Sequence, residues 1–337
     1  MEYKNILIIK MSSLGDVLHT LPFVAVLRER FPKARLTWLV HPQFGAFVPE
    51  PPVVDEVIHF DKVKFNKLGI YDKWSYFREM RTLLHSKKFD LVIDMQGLFK
   101  SAVLAAISGC DNRIGYCDMR EGSGFVSKAI SGSHVRDHVI ERYLDVARYL
   151  GCSINGIQFP MPNLQKEWLA VEGKSEAVKK PYVVLVPGAR WETKKWPAEY
   201  FAKLANMILS VGKQVVLAGG PEEVSLGKQI TDLAPRVANM TGKTSQRELG
   251  ALIQHCTAYI SGDTGPLFIA AAMKKPLIAL YGPTRPDRTG PYGSEEAVII
   301  TAPVSCAGCL RKHCDNWICM KAITPETVFD KYKKKVK

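Results

Sequence analysis

Three loops and one cysteine cluster in this 337-residue chain carry side chains whose types and spacing suit chemistry. The first loop, Met11-Ser-Ser-Leu-Gly15, follows the nearly continuous apolar run Asn5-Ile-Leu-Ile-Ile-Lys10 and leads into Asp16. From Asp16 the residues Val17, Leu18, Leu21, Val24 and Leu27 fall at helical spacing, so the carboxylate sits where a strand ends and a helix begins. Ligands of open α/β sheets bind at that edge, and the free N–H groups of a helix's first turn favour an anion. A first-turn acid also stabilises its own helix. Spacing alone leaves both readings of Asp16 open.

The second loop, Pro187-Gly-Ala-Arg-Trp-Glu-Thr-Lys-Lys-Trp-Pro197, also follows a strand and brings Arg190, Lys194 and Lys195 to a sheet edge. Cations there can neutralise a departing diphosphate. The third, Ser261-Gly-Asp-Thr-Gly265, lies between a strand and a helix. Asp263 or Thr264 can cap that helix, and Gly265 lets a diphosphate approach the backbone N–H groups. Taken singly these are ordinary capping and surface features. Two of them on one edge, together with a loop bearing a carboxylate, favour phosphate handling without a metal.

Other chemistries lose ground. The chain has no G-x-G-x-x-G fingerprint, no D-x-D pair for a metal-bound nucleotide and no G-x-S-x-G elbow. Gly242-Lys243-Thr244 imitates the end of a P-loop, but Val237 stands where its first glycine belongs.

The elements that must position these loops alternate. Strands are expected at 5–10, 35–40, 56–60 and 89–94, the last leading through Met95–Lys100 into a small-residue helix that ends at Ser108, with further helices over 16–30, 76–86 and 138–150. Residues 114–133, rich in glycine and polar side chains, read as a loop or a short helical excursion. After a connection over 153–181, a second series follows: strands at 182–186, 214–218, near Val237, 258–261 and 276–280, and helices at 198–211, 222–233, 246–255 and 265–273. The reading is α/β, two doubly wound parallel-sheet domains at 1–165 and 166–337, with a ligand cleft expected between them.

A net charge of +13 predicts attraction to polyanions: nucleic acid, an anionic membrane face or phosphorylated substrates. The one local cluster is the tail Lys331-Tyr-Lys-Lys-Lys-Val-Lys337, which also suits a helix C-terminus. The opening MEYKNILIIKMSS has too short an apolar run for a secretory signal, and no run reaches the ~18 residues of a spanning helix. The expectation is a cytoplasmic protein, peripheral at most on the inner face of the membrane.

The blocks KxSSLGDVLHTLP at the start, DxQGLxKS at Asp94–Ser101, PGA…KKWP at Pro187–Pro197 and SGDTGPLFIAAAMKKPLIALYGPT at Ser261–Thr284 together resemble the ADP-heptose:lipopolysaccharide heptosyltransferases, nearly end to end. The N-terminal block, Arg120-Glu121 and His138-x-x-Glu141-Arg142 are most similar to heptosyltransferase I, whereas Pro187-Gly-Ala189 is closer to heptosyltransferase II. The resemblance implies a GT-B fold of two Rossmann-like domains, acceptor on the first and nucleotide sugar on the second. It implies Asp16 as general base in an inverting displacement and Lys194 as stabiliser of the departing ADP, with no catalytic cofactor. It assigns Asp263, Thr264, Gly265, Glu223, Gly188 and Arg190 to the donor. Ser13, Gly15, Gln96, Lys100, Arg120 and His138 go to an anionic acceptor, Kdo-lipid A or a heptosylated inner core. One departure stands out: Phe268 occupies the place where the family commonly has histidine, beside an unusual Pro266.

The cluster Cys306-x2-Cys309-x4-Cys314-x4-Cys319 has the spacing of a zinc knuckle with cysteine at the histidine place. Four thiolates can close a structural site for zinc or iron, and such bunching in a cytosolic chain favours metal over disulfides. The spacing also raises nucleic-acid binding as an alternative function. That partner is disfavoured, because aromatic and basic residues are not interleaved on one obvious stripe.

Overall fold

A computed structural model describes residues 2–335 of the chain. Met1 lies outside the described residues, as do Val336 and Lys337 at the end of the basic tail. Contacts divide the chain after Pro162 into two compact units.

The first unit holds strands β1 (Asn5–Ile9), β2 (Arg35–Val40), β3 (Glu56–His59), β4 (Leu91–Asp94), β5 (Arg113–Tyr116) and β6 (Lys128–Ile130). They form one sheet in the order β3-β2-β1-β4-β5-β6, every neighbouring pair parallel. Its helices are α1 (Leu14–Arg30), α2 (Lys62–Lys67), α3 (Ile70–Ser86), α4 (Phe99–Ile107) and α5 (Val139–Tyr149). Ile6, Leu7, Ile8 and Ile9 are all fully buried because helices cover both faces of the sheet. Each such side chain contributes roughly 1.5–3 kcal/mol on burial.

The second unit repeats the plan. It opens with α6 (Gln165–Glu172), then β7 (Tyr182–Val186), α7 (Ala198–Ser210), β8 (Gln214–Leu217), α8 (Val224–Leu233), β9 (Ala238–Asn239), α9 (Gln246–His255) and β10 (Ala258–Gly262). It closes with α10 (Gly265–Ala272), β11 (Leu277–Tyr281), α11 (Pro286–Thr289), β12 (Ala297–Thr301) and α12 (Pro325–Lys335). The sheet order is β12-β11-β10-β7-β8-β9, again all parallel. The first unit's β3-β2-β1-β4-β5-β6 turns about its opening strand, and the second sheet turns in the same way about β7 and β10.

That order fixes where ligands can sit. The winding reverses between β1 and β4 in the first unit and between β7 and β10 in the second. At such a switch point the loops leaving the two strands part in opposite directions and open a crevice at the carboxyl edge. The Asp16 loop leaves β1 and the Gln96–Lys100 loop leaves β4. Likewise, the Lys194 loop leaves β7 and the Asp263 loop leaves β10.

Several elements differ from the sequence expectation. The segment 114–133 contains β5 and β6, strands of four and three residues joined by a single 3-10 turn at Ser123–Phe125. Strands that short show no alternation to read. Helix α6 falls inside the expected connection and belongs to the second unit: Trp168 stacks on His255 at 3.9 Å, and Arg247 Nε donates to Glu167 at 2.7 Å. The helix expected over 76–86 begins at Ile70, behind the separate short helix α2. Among the described residues, no helix is long and apolar enough to cross a membrane.

Candidate active site

In the first unit Ser13 is the N-cap of α1 and Asp16 is its third residue. The Ser13 N–H and hydroxyl both donate to Asp16 Oδ2, each at 2.8 Å. Both bonds fall on one oxygen, so Oδ1 of this partly exposed carboxylate carries no hydrogen bond among the described residues. Gly15 is buried in the same turn. The helix-start reading of Asp16 is therefore satisfied by half of the carboxylate, and the other half is left over.

Beneath Asp16 lies Lys10, the first residue of the KxSSLGDVLHTLP block, to which the motif assigns no role. Lys10, just past β1, is almost wholly buried. Its ammonium donates to Met95 O at 2.7 Å and to Tyr143 Oη at 2.6 Å, and it lies 4.9 Å from the Tyr143 ring centroid. These contacts offset the cost of burying a charge. Burial pulls the Asp16 carboxyl upward, but Lys10, then the Ser13 N–H and His19, pull it down. The net is a carboxyl held below its ordinary value, so ionised at neutral pH. His19, one turn further along α1, is buried edge-on to His138 with ring centroids 5.6 Å apart. Burial first, then His138, drives its pKa down to about 3, so it is neutral. Its place at the end of an otherwise apolar buried strand, at the head of the KxSSLGDVLHTLP block, is the signal that points to Lys10.

The acceptor-side residues divide by what they touch. Gln96 Oε1 accepts from the Met11 and Ser12 N–H groups, each at 3.0 Å, and so ties the loop after β4 to the loop before Asp16. Asp94 shapes that same loop, accepting from the N–H groups of Gln96 and Gly97 and from the Ser101 hydroxyl, each at 2.9 Å. Lys100 Nζ is 3.5 Å from Ser12 Oγ, close to the carboxylate. His138 is the N-cap of α5, its Nδ1 accepting from Ile140 N at 3.2 Å. Arg120 is exposed, 3.6 Å from Asp118. Its N–H donates to Gly97 O at 2.8 Å, which links the loop after β5 to the β4 loop.

In the second unit the two loops at the switch point meet directly. Lys194 Nζ lies 2.6 Å from Asp263 Oδ2 and 4.4 Å from the Trp191 ring centroid. A β-carbon on Gly262 would stand 3.0 Å from Lys194 O, so the loops also touch through backbone. Thr264 is the N-cap of α10 and Gly265 its first residue, with no side-chain bond closing the cap. Pro266 has no N–H and Leu267 N donates to Thr264 O at 3.1 Å, so of the first three positions it is Gly265 whose N–H can face a ligand. Gly188 abuts Glu223, whose Oε2 accepts from Gly220 N at 2.6 Å. Burial, then Glu222, raises the Glu223 carboxyl. Arg190 is exposed, and Phe268 is buried in α10.

The cysteine cluster is not assembled as the expected metal site among the described residues. Cys306, Cys309 and Cys314 are exposed, whereas Cys319 is buried. Among the described residues, no group of three or more His, Cys, Asp or Glu side chains can hold a metal ion. The loop is held by other means. Gly308 N donates to Gly282 O at 2.9 Å, Leu310 N to Pro283 O at 2.7 Å, and the Trp317 indole to Thr193 O at 3.0 Å. The Cys319 thiol turns inward against Gly282, where a β-carbon would stand 2.9 Å from it. Thr193 Oγ1 returns a bond to Arg311 O at 2.9 Å. The segment therefore buttresses the Lys194 loop.

The sequence model of glycosyltransferase family 9 (heptosyltransferase) matches residues 77–318. The chain is 30% identical to lipopolysaccharide heptosyltransferase 1 of Pseudomonas aeruginosa over 327 residues, covering 92% of this chain and 87% of that protein. It is 28% identical to lipopolysaccharide heptosyltransferase 2 of Escherichia coli over 315 residues, covering 88% and 87%. In fold it is similar to the solved E. coli ADP-heptose lipopolysaccharide heptosyltransferase II, with a TM-score of 0.79 at 24% identity over 100% of this chain and 98% of that one. Two doubly wound parallel sheets of this kind make up the GT-B fold.

Proposed function

Since the chain belongs to glycosyltransferase family 9, we propose that it is an inverting heptosyltransferase. It moves L-glycero-D-manno-heptose from ADP-heptose onto the Kdo and heptose inner core of lipopolysaccharide, in the cytoplasm at the inner face of the membrane. The observation that carries this reading is the Asp16 carboxylate, kept ionised beside Lys10 at a sheet switch point with one oxygen unbonded.

In this mechanism Asp16 takes the proton of an acceptor hydroxyl as that oxygen attacks the anomeric carbon. The bond to the ADP oxygen breaks on the opposite face, so the configuration inverts. The base must lie within hydrogen-bond reach of the hydroxyl in the reacting complex. Negative charge that develops on the departing diphosphate is met by Lys194 and by the Gly265 N–H that opens α10. Gly188, Arg190, Glu223, Asp263, Thr264 and Gly265 make up the donor surface. Ser13, Gly15, Lys100, Arg120 and His138 face the acceptor's sugar acid and phosphates, and Gln96 positions the Asp16 loop. No step is routed through the cysteines.

Relatives named heptosyltransferase 1, 2 and 3 match at 30%, 28% and 30% identity, so the order of addition rests on assay. The test is transfer from ADP-heptose to Kdo2-lipid A read by mass spectrometry, with Asp16→Ala alongside. A one-heptose mass increase that vanishes in the variant, with ADP binding retained, is expected. Full activity in Asp16→Ala would sink the mechanism. No increase with the wild-type protein would redirect the search to acceptors already bearing heptose, then to other ADP-sugars, for which Phe268 is the residue to follow.

A further inference from the structure

The first unit carries an apolar and basic rim that none of the foregoing chemistry uses. Helix α2 buries no residue, and α3 buries only Met80 and Leu84, both in its second half. At the start of α3, Ile70 is 78% exposed, Tyr71 88% and Trp74 65%. Val63 on α2, Phe99 at the start of α4 and Phe125 after β5 are exposed as well, Phe125 at 97%. Isolated exposed apolar residues need no explanation. These six all leave the carboxyl edge of one sheet, the edge that also presents Asp16.

The rim is held in place. On its inner side Phe60, Phe65 and Tyr76 pack in a triangle with centroids 5.7–5.8 Å apart, and the Tyr76 hydroxyl accepts from Asp61 N at 3.1 Å. Phe99 N donates to Glu121 at 3.2 Å, which fastens the α4 start to the loop that carries Phe125. The outward apolar side chains are thus set on a fixed base.

Charge decides what covers them. Lys62, Lys64, Lys67, Lys73, Arg78 and Arg81 face only Asp72 and Glu79 within 62–82. Among the described residues none of the four lysines makes an ion pair. Lysine is depleted at protein–protein interfaces, whereas aromatic residues with flanking lysine mark the water–lipid boundary. A nucleic acid would use the lysines but leave Ile70 and Val63 without a role.

We propose that α2, the first turns of α3 and the starts of α4 and the loop after β5 form a docking surface for an anionic lipid bilayer. Ile70, Tyr71 and Trp74 enter the interfacial region, and Lys62, Lys64, Lys67 and Lys73 meet the headgroups. The inference builds on the lipid-linked acceptor proposed above, since docking here sets the Asp16 edge toward the membrane that holds it.

The test is co-sedimentation of the full chain with phosphatidylglycerol and phosphatidylcholine vesicles at low and high salt. Salt-sensitive binding to the anionic vesicles is expected, falling about tenfold in the triple variant Ile70→Ser/Tyr71→Ser/Trp74→Ser. Thermal unfolding verifies that the variant is folded. In wild type, brominated lipid should quench a fluorescence component that Trp74→Phe lacks, a readout independent of the triple variant. Transfer to a deacylated, water-soluble acceptor should be unchanged in the triple variant, while transfer to acceptor in vesicles falls. Equal binding to both lipids, no vesicle binding by wild type, binding of RNA in its place, or undiminished binding by the folded triple variant would each overturn the proposal. Absence of transfer to the soluble acceptor by wild type would instead count against the enzymatic reading.

Discussion

The space beside Gly188 is filled by Glu223: a β-carbon at position 188 would stand 2.3 Å from Glu223 Cγ and Oε1. The glutamate is pinned by the Gly220 N–H at 2.6 Å and has no slack toward that side. Gly188→Ala must therefore push the carboxyl away from its partner and disturb the proposed nucleotide surface. We expect the Kd for ADP, measured by calorimetry, to rise about tenfold, equivalent to about 1.4 kcal/mol. An unchanged Kd would remove both residues from the donor surface.

The Lys194–Asp263 pair separates structure from catalysis. Its side chains are only 16% and 9% exposed, so Lys194→Met strands a carboxylate that water barely reaches. Loss of about 2 kcal/mol in stability is expected, less than for a fully buried pair. Lys194→Met/Asp263→Asn removes the stranded charge and should recover most of the melting temperature. Turnover should stay about 10²–10³-fold down in both variants, because neither meets the leaving diphosphate. Recovery of turnover in the double variant would make Lys194 a structural partner only.

What can be read from the chain follows from how each feature is written in it. Strands β1 and β7, buried on both faces, appear as unbroken apolar runs, and the loops that follow them combine glycine with charged residues. Asp16, Lys194 and Asp263 are therefore legible in the amino-acid sequence as residues of loops at strand ends. The strands β5 and β6 are not, because four and three residues that mix polar with apolar side chains show no period. Lys10 is hidden for the opposite reason: it prolongs an apolar strand, and only the fold reveals Tyr143 and the Met95 carbonyl waiting for its ammonium. For the cysteines, spacing says nothing of exposure: Cys319 is buried whereas Cys306, Cys309 and Cys314 are exposed, and no metal-holding group of three is assembled among the described residues.

Lys10 should govern the acid limb of the reaction. A base with a depressed pKa works above that pKa and fails as pH falls through it, so wild-type kcat/KM should hold down to the ordinary carboxylate range and drop only below it. In Lys10→Met, burial acts without its main counterweight, and the Asp16 carboxyl should rise. The expected result is a pH–rate profile whose acid limb moves toward neutral pH by about one unit or more, with the activity at high pH reduced less. A uniform loss at every pH would show that Lys10 serves packing alone.

His19 should make the first unit acid-sensitive. In the folded chain its pKa is driven from 6.5 to about 3 by burial and by His138, so it stays neutral where the unfolded chain binds a proton. Stability is therefore complete above the unfolded value and is lost as pH falls from 6.5 toward 3, at about 1.4 kcal/mol per pH unit. Urea unfolding followed at pH 7 and pH 5 should reveal a deficit of about 2 kcal/mol at the lower pH. His19→Gln cannot take up that proton, so its unfolding midpoint should change far less between the two conditions. The same acid sensitivity in the variant would assign the effect to another group.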